Sequence, residues 1–584
     1  MRRLCFLPVL GPVLGPVLGT VLGLSLLGSP RPAAAWDPST THQALLEAAI
    51  TRSAVHLRWM DASGLERGLF SPLRLDPDRL TPAQLRLLQL AMKSAHADSG
   101  ALPLGGPGAC PPASAPPETQ RFCVDQDLWE HSALGWIRLG MLAEVTPSAR
   151  HIHHFLDREE IDANAWADRE IPAVVLRTRQ ARSNGEPRSG IATGTNFAGK
   201  APSALAWLED PSDLLAPAAT FEHLALASSA ASQAERDHEL ALALIGIGAL
   251  LHVVQDLSVP AHARGDASAF FAPLSPAAGD RGLPFQEFVR LEYGRAELPG
   301  LSSTPSTPPA GVPLAETLIA HLLGEAGLDE AGLLGEAGLE AGLGEGGYEG
   351  LASLAGRRYF SESSVPAPAF LDDTLSPSEA ATKLLGDDHR LAAVEVEGAV
   401  LSPWPAQRGY LLSPTGRALA AFDSDAEGRI RPYLDETCYR DAAATLLPEA
   451  AKVSASLLDL LWPAWPQTRR VGEAIVLTIP DWAAAELTVM VETGAGARRV
   501  VGRHPLELAG ETRVEPGVGP LAEGERVVLL LEAQRKQGPP IVLEQLLEAL
   551  ATHSPAATEI EAGTGTEEPE LLGPPAAPIE AQPL

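Results

Sequence analysis

The most chemically informative stretch is LHVVQDLSVPAHARGD, residues 251–266. His252 and Asp256 stand four residues apart within a segment, about 232–257, whose apolar periodicity predicts a helix. That spacing places both side chains on one face, one turn apart. Pro260 ends the predicted helix, and His262 follows on the connecting turn. Two imidazoles and a carboxylate brought together in this way can hold a metal ion of the zinc class. A helical His-x3-Asp pair also arises as a solvated or capping pair, or as part of a structural polar cluster. Here its flanks are apolar (Ile247, Ala249, Leu250, Leu251, Val253, Val254), and buried charge demands partners. The chain has 4 cysteines and no CxxC pattern, so any metal is held by His and carboxylates. Cys110 and Cys123 close a short loop and could pair in an oxidising compartment, leaving Cys438 over.

His252-x3-Asp256-x5-His262, with Pro260 two before the last His, resembles the central metal motif of the zinc-dependent phospholipase C and single-strand nuclease superfamily. The resemblance implies a mostly α-helical fold with up to three zinc ions and a mature chain that starts with tryptophan. The α-amino group and carbonyl of that tryptophan ligate one ion. Here a predicted export cleavage after Ala35 leaves Trp36 first, and His42 follows in WDPSTTH. A free amine is a good zinc ligand once deprotonated. An ordinary processing junction at Trp36 and an ordinary helix-start His at 42 are the plainer readings.

The same resemblance extends to EVTPSARHIHHFLD. Glu144 matches an acidic ligand that bridges two zincs in the family, although relatives commonly carry Asp and Val145 leaves no second acid. His154, followed by Phe155, Leu156 and Asp157, matches a His ligand; His153 is its alternative, and His151 is expected at the surface. Beyond His262 the family supplies a further His and an acid. In PFQEFV, Gln286 stands where the acid aligns best, Glu287 lies beside it, and Gly282 occupies the place of the His. Asp266, one turn past His262, can substitute. The implied ligand sets are Trp36, His42 and Asp256; Glu144, His154 and His252; and, more weakly, His262 with Asp266 and Glu287. Two to three zinc ions would then activate water and stabilise phosphoryl oxygens, with Glu144 and Asp256 as the catalytic carboxylates.

The elements that must position these groups follow from local pattern. Residues 1–35 read as a signal peptide: Arg2 and Arg3, an apolar stretch broken by Pro8, Pro12 and Pro16, then Ala33-Ala34-Ala35. No later segment is apolar for long enough to span a membrane. A zinc-binding helical core is expected over 36–300, with helices near 41–57, 82–96 (capped by Thr81), 127–143, 161–181, 202–208 and 232–257. Residues 301–355, with the repeat GLDEAGLLGEAGLEAGLGEGG, read as a flexible acidic insertion, since glycine opposes helix by about 1 kcal/mol per residue. Residues 356–466 read as a helical continuation of the core, including a helix over 435–461 on which Asp435 is a capping group. Segments such as AIVLTIP and RVVLLLEA predict a small β-rich domain over 467–540, and 541–584 read as a disordered tail. The fold expected is therefore mainly α: a helical bundle of the zinc phospholipase C type with a small C-terminal β-rich domain.

Bulk composition adds the partner reading. The 584 residues carry 45% apolar and 20% charged residues and a formal net charge of -30. That charge disfavours long nucleic acid, whose binding rests on cationic contacts. A phospholipid or another phosphodiester is the preferred substrate, with a membrane surface contact through the β-rich domain and a secreted or periplasmic location. A nuclease or nucleotidase of the same superfamily, and a non-catalytic secreted protein with a decayed site, are the alternatives. No calcium-loop pattern of closely spaced acids occurs in the β-rich region, and the sequence says nothing of oligomeric state.

Overall fold

A computed structural model describes residues 40–98, 129–156, 200–266, 284–293 and 350–548, short breaks apart, together with Pro38 and the pair 169–170. The signal segment, Trp36, Cys110, Cys123, His153, Asp157, residues 301–349 of the acidic insertion and the tail beyond 548 lie outside the described residues, as does the helix expected over 161–181 except at Arg169–Glu170, which form a strand instead.

The amino-terminal part is built from α1 (Thr41–Arg52), α2 (Val55–Met60), β1 (Pro72–Arg74), α3 (Pro82–Asp98), β2 (Glu130–Ser132) and α4 (Ala133–Glu144). Next come β3 (Arg169–Glu170), β4 (Lys200–Ala201), α5 (Ala204–Glu209), α6 (Pro217–Ser229), α7 (Gln233–Asp256), α8 (Pro260–Ala263) and α9 (Phe285–Glu292). The helix expected over 127–143 is thus preceded by a short strand, and the one expected over 41–57 is broken at Ser53.

The centre of the bundle is α7. Ser232 caps it by accepting from the Glu235 N–H, and Pro260 enforces the turn beyond it. Every residue from Ala241 to Asp256 is buried, so this helix is apolar on all sides, as a central helix must be. It is long and apolar enough to cross a bilayer, contrary to the sequence reading, but 89% of that stretch is enclosed by protein. Two neighbours lie unusually close. A Cβ on Gly140 of α4 would fall 2.0 Å from the Ile245 carbonyl oxygen, and one on Gly248 would fall 1.9 Å from that of Ile137. On α6, Thr220 fills the space a Cβ on Gly246 would need.

The expectation of a mainly α protein is overturned. The described residues are 45% helical and 23% strand. Within 356–466, read as helical, α10 (Leu351–Arg358) and α11 (Pro377–Leu385) accompany a curled five-stranded antiparallel sheet. Its strands are β5 (Ala369–Phe370), β6 (Val400–Ser402), β7 (Arg408–Leu412), β8 (Ala418–Ser424) and β9 (Arg429–Tyr433), in the order β5-β9-β8-β7-β6. Turn glycines at positive φ, Gly416 and Gly428, join β7 to β8 and β8 to β9. Residues Ala418–Phe422 are all buried, packing one face of the sheet on α12 (Glu436–Leu461). Asp435 caps α12 through the N–H groups of Thr437 and Cys438.

The chain then forms a three-stranded sheet, β10 (Gln467–Val471), β11 (Ala474–Thr478) and β14 (Glu511–Val514), and a four-stranded sheet. The latter contains β12 (Ala484–Glu492), β13 (Arg498–Pro505), β15 (Arg526–Gln534) and β16 (Ile541–Leu546), in the order β13-β12-β15-β16. Strand pairing extends to Leu546, past the boundary at 540 read from the sequence. Alternate residues of β12 and β15 enter two cores: Leu487, Val489, Leu529 and Leu531 the main one, Met490, Val528 and Leu530 a satellite. A buried network fastens these strands to the helices: Glu492 binds Arg236 at 2.9 Å, Arg498 at 2.7 Å and Arg526 at 2.7 Å.

Candidate metal centre

Five separate pieces of chain deliver the site. His42 lies in the first turn of α1, Glu144 at the end of α4, His154 in the segment after it, His252 and Asp256 on the last turns of α7, and His262 on α8. All six side chains are fully buried. Asp256 is the hub. Its Oδ1 is 3.0 Å from His42 Nε2, and its Oδ2 is 2.6 Å from His154 Nδ1 and 3.3 Å from His252 Nε2. The His42 and His252 rings stack at 3.8 Å. His42, His252 and Asp256 offer ligand atoms within 4.8 Å of one another, a buried cluster that could hold a metal ion.

The cluster has the chemistry such an ion needs. His252 Nδ1 has no hydrogen-bond partner among the described residues and Nε2 meets only Asp256, at 3.3 Å, in a place without exposure to water. Buried polar atoms left in that state are costly, and a cation would relieve them. A second layer fixes the donors. Gln255 donates through its amide nitrogen to Ser454 Oγ at 3.2 Å, which turns its oxygen toward His42. His42 Nδ1–H then donates to Gln255 Oε1 at 2.7 Å, leaving the Nε2 lone pair on the side of Asp256. Ser454 belongs to α12, so the carboxy-terminal helix takes part in holding an amino-terminal ligand.

Electrostatics disfavour a proton on His252 and on Asp256, where a cation would sit. Burial, then the neighbouring His42 ring, push His252 down to about 3, against the attraction of Asp256. Burial likewise takes His262 down to about 4. Asp256 is held well below the usual carboxylate range: burial opposes ionisation, but His252, His42 and the hydrogen bonds outweigh it. His154 moves the other way. Burial would lower it, yet hydrogen bonds to Asp256 and to Glu144, at 3.3 Å from Nε2, raise it. His154 is thus held between two carboxylates.

The remaining predicted residues are placed differently from the implied ligand sets. His252 groups with His42 and Asp256 rather than with Glu144. Glu144 is gripped by the Arg150 guanidinium at 2.8 Å, and Arg150 also binds Asp213 at 3.0 Å. Those two carboxylates hold Arg150 above its ordinary range despite its burial. His262 stacks on Phe155 at 4.1 Å and lies 3.1 Å from the His154 carbonyl oxygen through Nδ1. Asp266 and Glu287 are half-buried and do not join the three-residue cluster; Glu287 pairs with Arg290 at 2.6 Å. Gln286, the better-aligned neighbour, is buried. His151, expected at the surface, is buried with its ring edge-on to His154 at 5.6 Å.

Arg150, Asp213, Gln255 and Ser454 were not singled out from the sequence. Gln255 carried a usable signal, since an amide on an otherwise apolar helix beside Asp256 needs a buried partner. Ser454 carried none. Two imidazoles and one carboxylate, all buried, form a donor set that could hold a metal ion. No family model matches the chain, and neither a curated protein nor a solved structure does.

Proposed function

We propose that the protein is a zinc-dependent phosphodiester hydrolase of the phospholipase C type. The observation that carries this reading is the three-ligand cluster of His42, His252 and Asp256, with His154 and Glu144 directly beside it. A nitrogen-rich set with one carboxylate suits zinc, and zinc bound there would supply an acidified water and charge stabilisation at the phosphoryl oxygens. Asp256 orients three imidazoles, Gln255 fixes the His42 tautomer, and His154 bridges Asp256 and Glu144. Trp36 would complete the coordination of His42 and Asp256 through its amine, if export processing exposes it. Phospholipid is preferred over nucleic acid because the charge of -30 works against polyanions. A second reading, a metal that only staples α1 to α7, is favoured by the complete burial of all three ligands.

Elemental analysis of the exported protein should find zinc, with two to three ions per chain if the resemblance holds throughout; less than one bound metal ion would end the reading. His252→Ala and Asp256→Ala should each lower the metal content. The zinc-loaded protein is then incubated with phosphatidylcholine vesicles and, separately, with single-stranded DNA and RNA. Diacylglycerol release with intact nucleic acid supports the proposal. Release of 5′-mononucleotides would replace it with the nuclease reading, and inactivity on both with zinc bound would leave the stapling role. Amino-terminal sequencing that starts anywhere but Trp36 removes that residue from the ligand set.

A further inference from the structure

A cavity of about 730 Å³ lies where the helices meet the carboxy-terminal sheets, within the roughly 300–1,000 Å³ range of small-molecule pockets. Leu240 of α7 lines it, while His252, twelve residues on, belongs to the metal centre. At 1.5 Å per residue those positions are about 18 Å apart along the helix, so the two sites are distinct.

Three tryptophans contribute to the wall: Trp59 of α2 and, just after α12, Trp462 and Trp465. Trp59 and Trp462 meet edge to face at 4.7 Å. Trp465 is half-buried, with its indole N–H donating to Thr468 Oγ1 at 3.0 Å, which fixes the ring's orientation. Between these aromatic surfaces stand polar side chains. Two buried ones, Trp59 through Nε1 and Gln545 through Oε1, have atoms without a hydrogen-bond partner among the described residues: one donor and one acceptor.

The charges decide what kind of ligand this suits. Arg58, Arg236 and Arg469 line the cavity together with Asp61, Glu511 and Glu544, so the wall carries no net charge. Its guanidinium groups already have anions: Arg58 pairs with Asp459 at 2.8 Å, Arg236 with Glu492 at 2.9 Å, and Arg469 with Glu511 at 2.8 Å. Glu544 is taken by Arg498 at 2.6 Å. A phosphate would compete with these pairs and, at the buried Arg236–Glu492 pair, would leave a charge uncompensated. A neutral ligand does not. A pyranose ring presents a flat C–H face to an indole and a rim of hydroxyls to amides, carboxylates and guanidinium groups. That combination matches aromatic walls interleaved with balanced polar ones.

We propose that this cavity is a binding site for a neutral oligosaccharide, with Trp465 as the stacking platform. The proposal does not depend on the metal centre.

The test titrates the full-length protein separately with cellotriose, maltotriose and N-acetylchitotriose, followed by tryptophan fluorescence. Saturation-transfer NMR on the unsubstituted protein reads bound sugar directly. Phosphocholine and phosphatidylcholine vesicles are run in parallel. At least one trisaccharide should bind, and EDTA should leave its affinity unchanged. Trp465→Ala should weaken binding about tenfold or more, and Trp465→Phe, which keeps an aromatic face, should weaken it less. The proposal is overturned if no trisaccharide binds at roughly 10 mM, ten times a millimolar Kd. It is overturned equally if phosphocholine or vesicles bind in place of sugar, or if Trp465→Ala leaves sugar affinity intact.

Discussion

Gly248→Ala perturbs the tightest seam in the helical core. The added methyl would lie 1.9 Å from the Ile137 carbonyl oxygen, whereas real Cβ contacts do not fall below 3.0 Å. The helices α4 and α7 must therefore part by at least about 1.1 Å, the difference between those figures. The obstacle is backbone, so no rotamer change relieves it. A gap of about 0.5–1 Å forfeits roughly a quarter to a half of each dispersion contact across the seam. Overpacking of this kind costs about 1–3 kcal/mol and sometimes more, while alanine's better helix propensity returns about 1 kcal/mol. With rigid backbone on the receiving side the balance is a loss of about 2 kcal/mol, which in a protein of this size lowers Tm by about 2 °C. The site should feel it too, because His252 lies one turn beyond Gly248 and Glu144 one turn beyond Gly140. Thermal melts followed by circular dichroism, with zinc titration of the same samples, read both effects. A Gly248→Ala protein as stable as its parent, or more stable, would show that propensity dominates and that the helices do not approach as closely as described.

Gln255→Leu removes the acceptor that orients His42, and metal affinity measured by competition with a chromophoric chelator should fall about 10–100-fold with the three ligands intact; an unchanged affinity would show the tautomer to be fixed by other means. Burial pushes Asp237 up to about 6 from the ordinary 3.8, against the hydrogen bond from Gln233. A raised carboxyl stabilises the fold fully below 3.8, and that contribution is lost as pH rises through about 6. Asp237→Asn should therefore stabilise the protein at pH 8 by about 1 kcal/mol, after allowing for solvent screening of a partly exposed group, and by nothing near pH 3.5. Equal denaturation midpoints for the two proteins at pH 8 would contradict this. Cys438 is buried, and burial holds its thiol far above the usual range. A thiol-reactive dye should leave Cys438 unmodified in the native state and label it only in denaturant, as peptide mapping would show.

Local structure was readable where one pattern repeats over several turns. The helix read over 232–257 forms as Gln233–Asp256, and the one read over 435–461 as Glu436–Leu461, because apolar period and capping residues Ser232 and Asp435 act within a few residues of each other. The His252–Asp256 pairing was equally local, since a four-residue helical spacing fixes it. The five-stranded sheet was missed because its strands are only two to seven residues long and interleave with loops of Gly and Pro. Segments so short are stable only after they pair, and pairing is a long-range event. Which ligands share an ion was likewise outside the reach of spacing. His42 and Gln255 are 213 residues apart, and Gln255 and Ser454 are 199 apart. The resemblance already grouped His42 with Asp256, but nothing in the sequence specified that α12 would close on the end of α7, or that Arg150 would take Glu144. The sequence alone determined which side chains could bind a metal and the turns that carry them. Only the packing of distant helices, driven by burial of their apolar faces rather than by any local code, decided that His42, His252 and Asp256 meet.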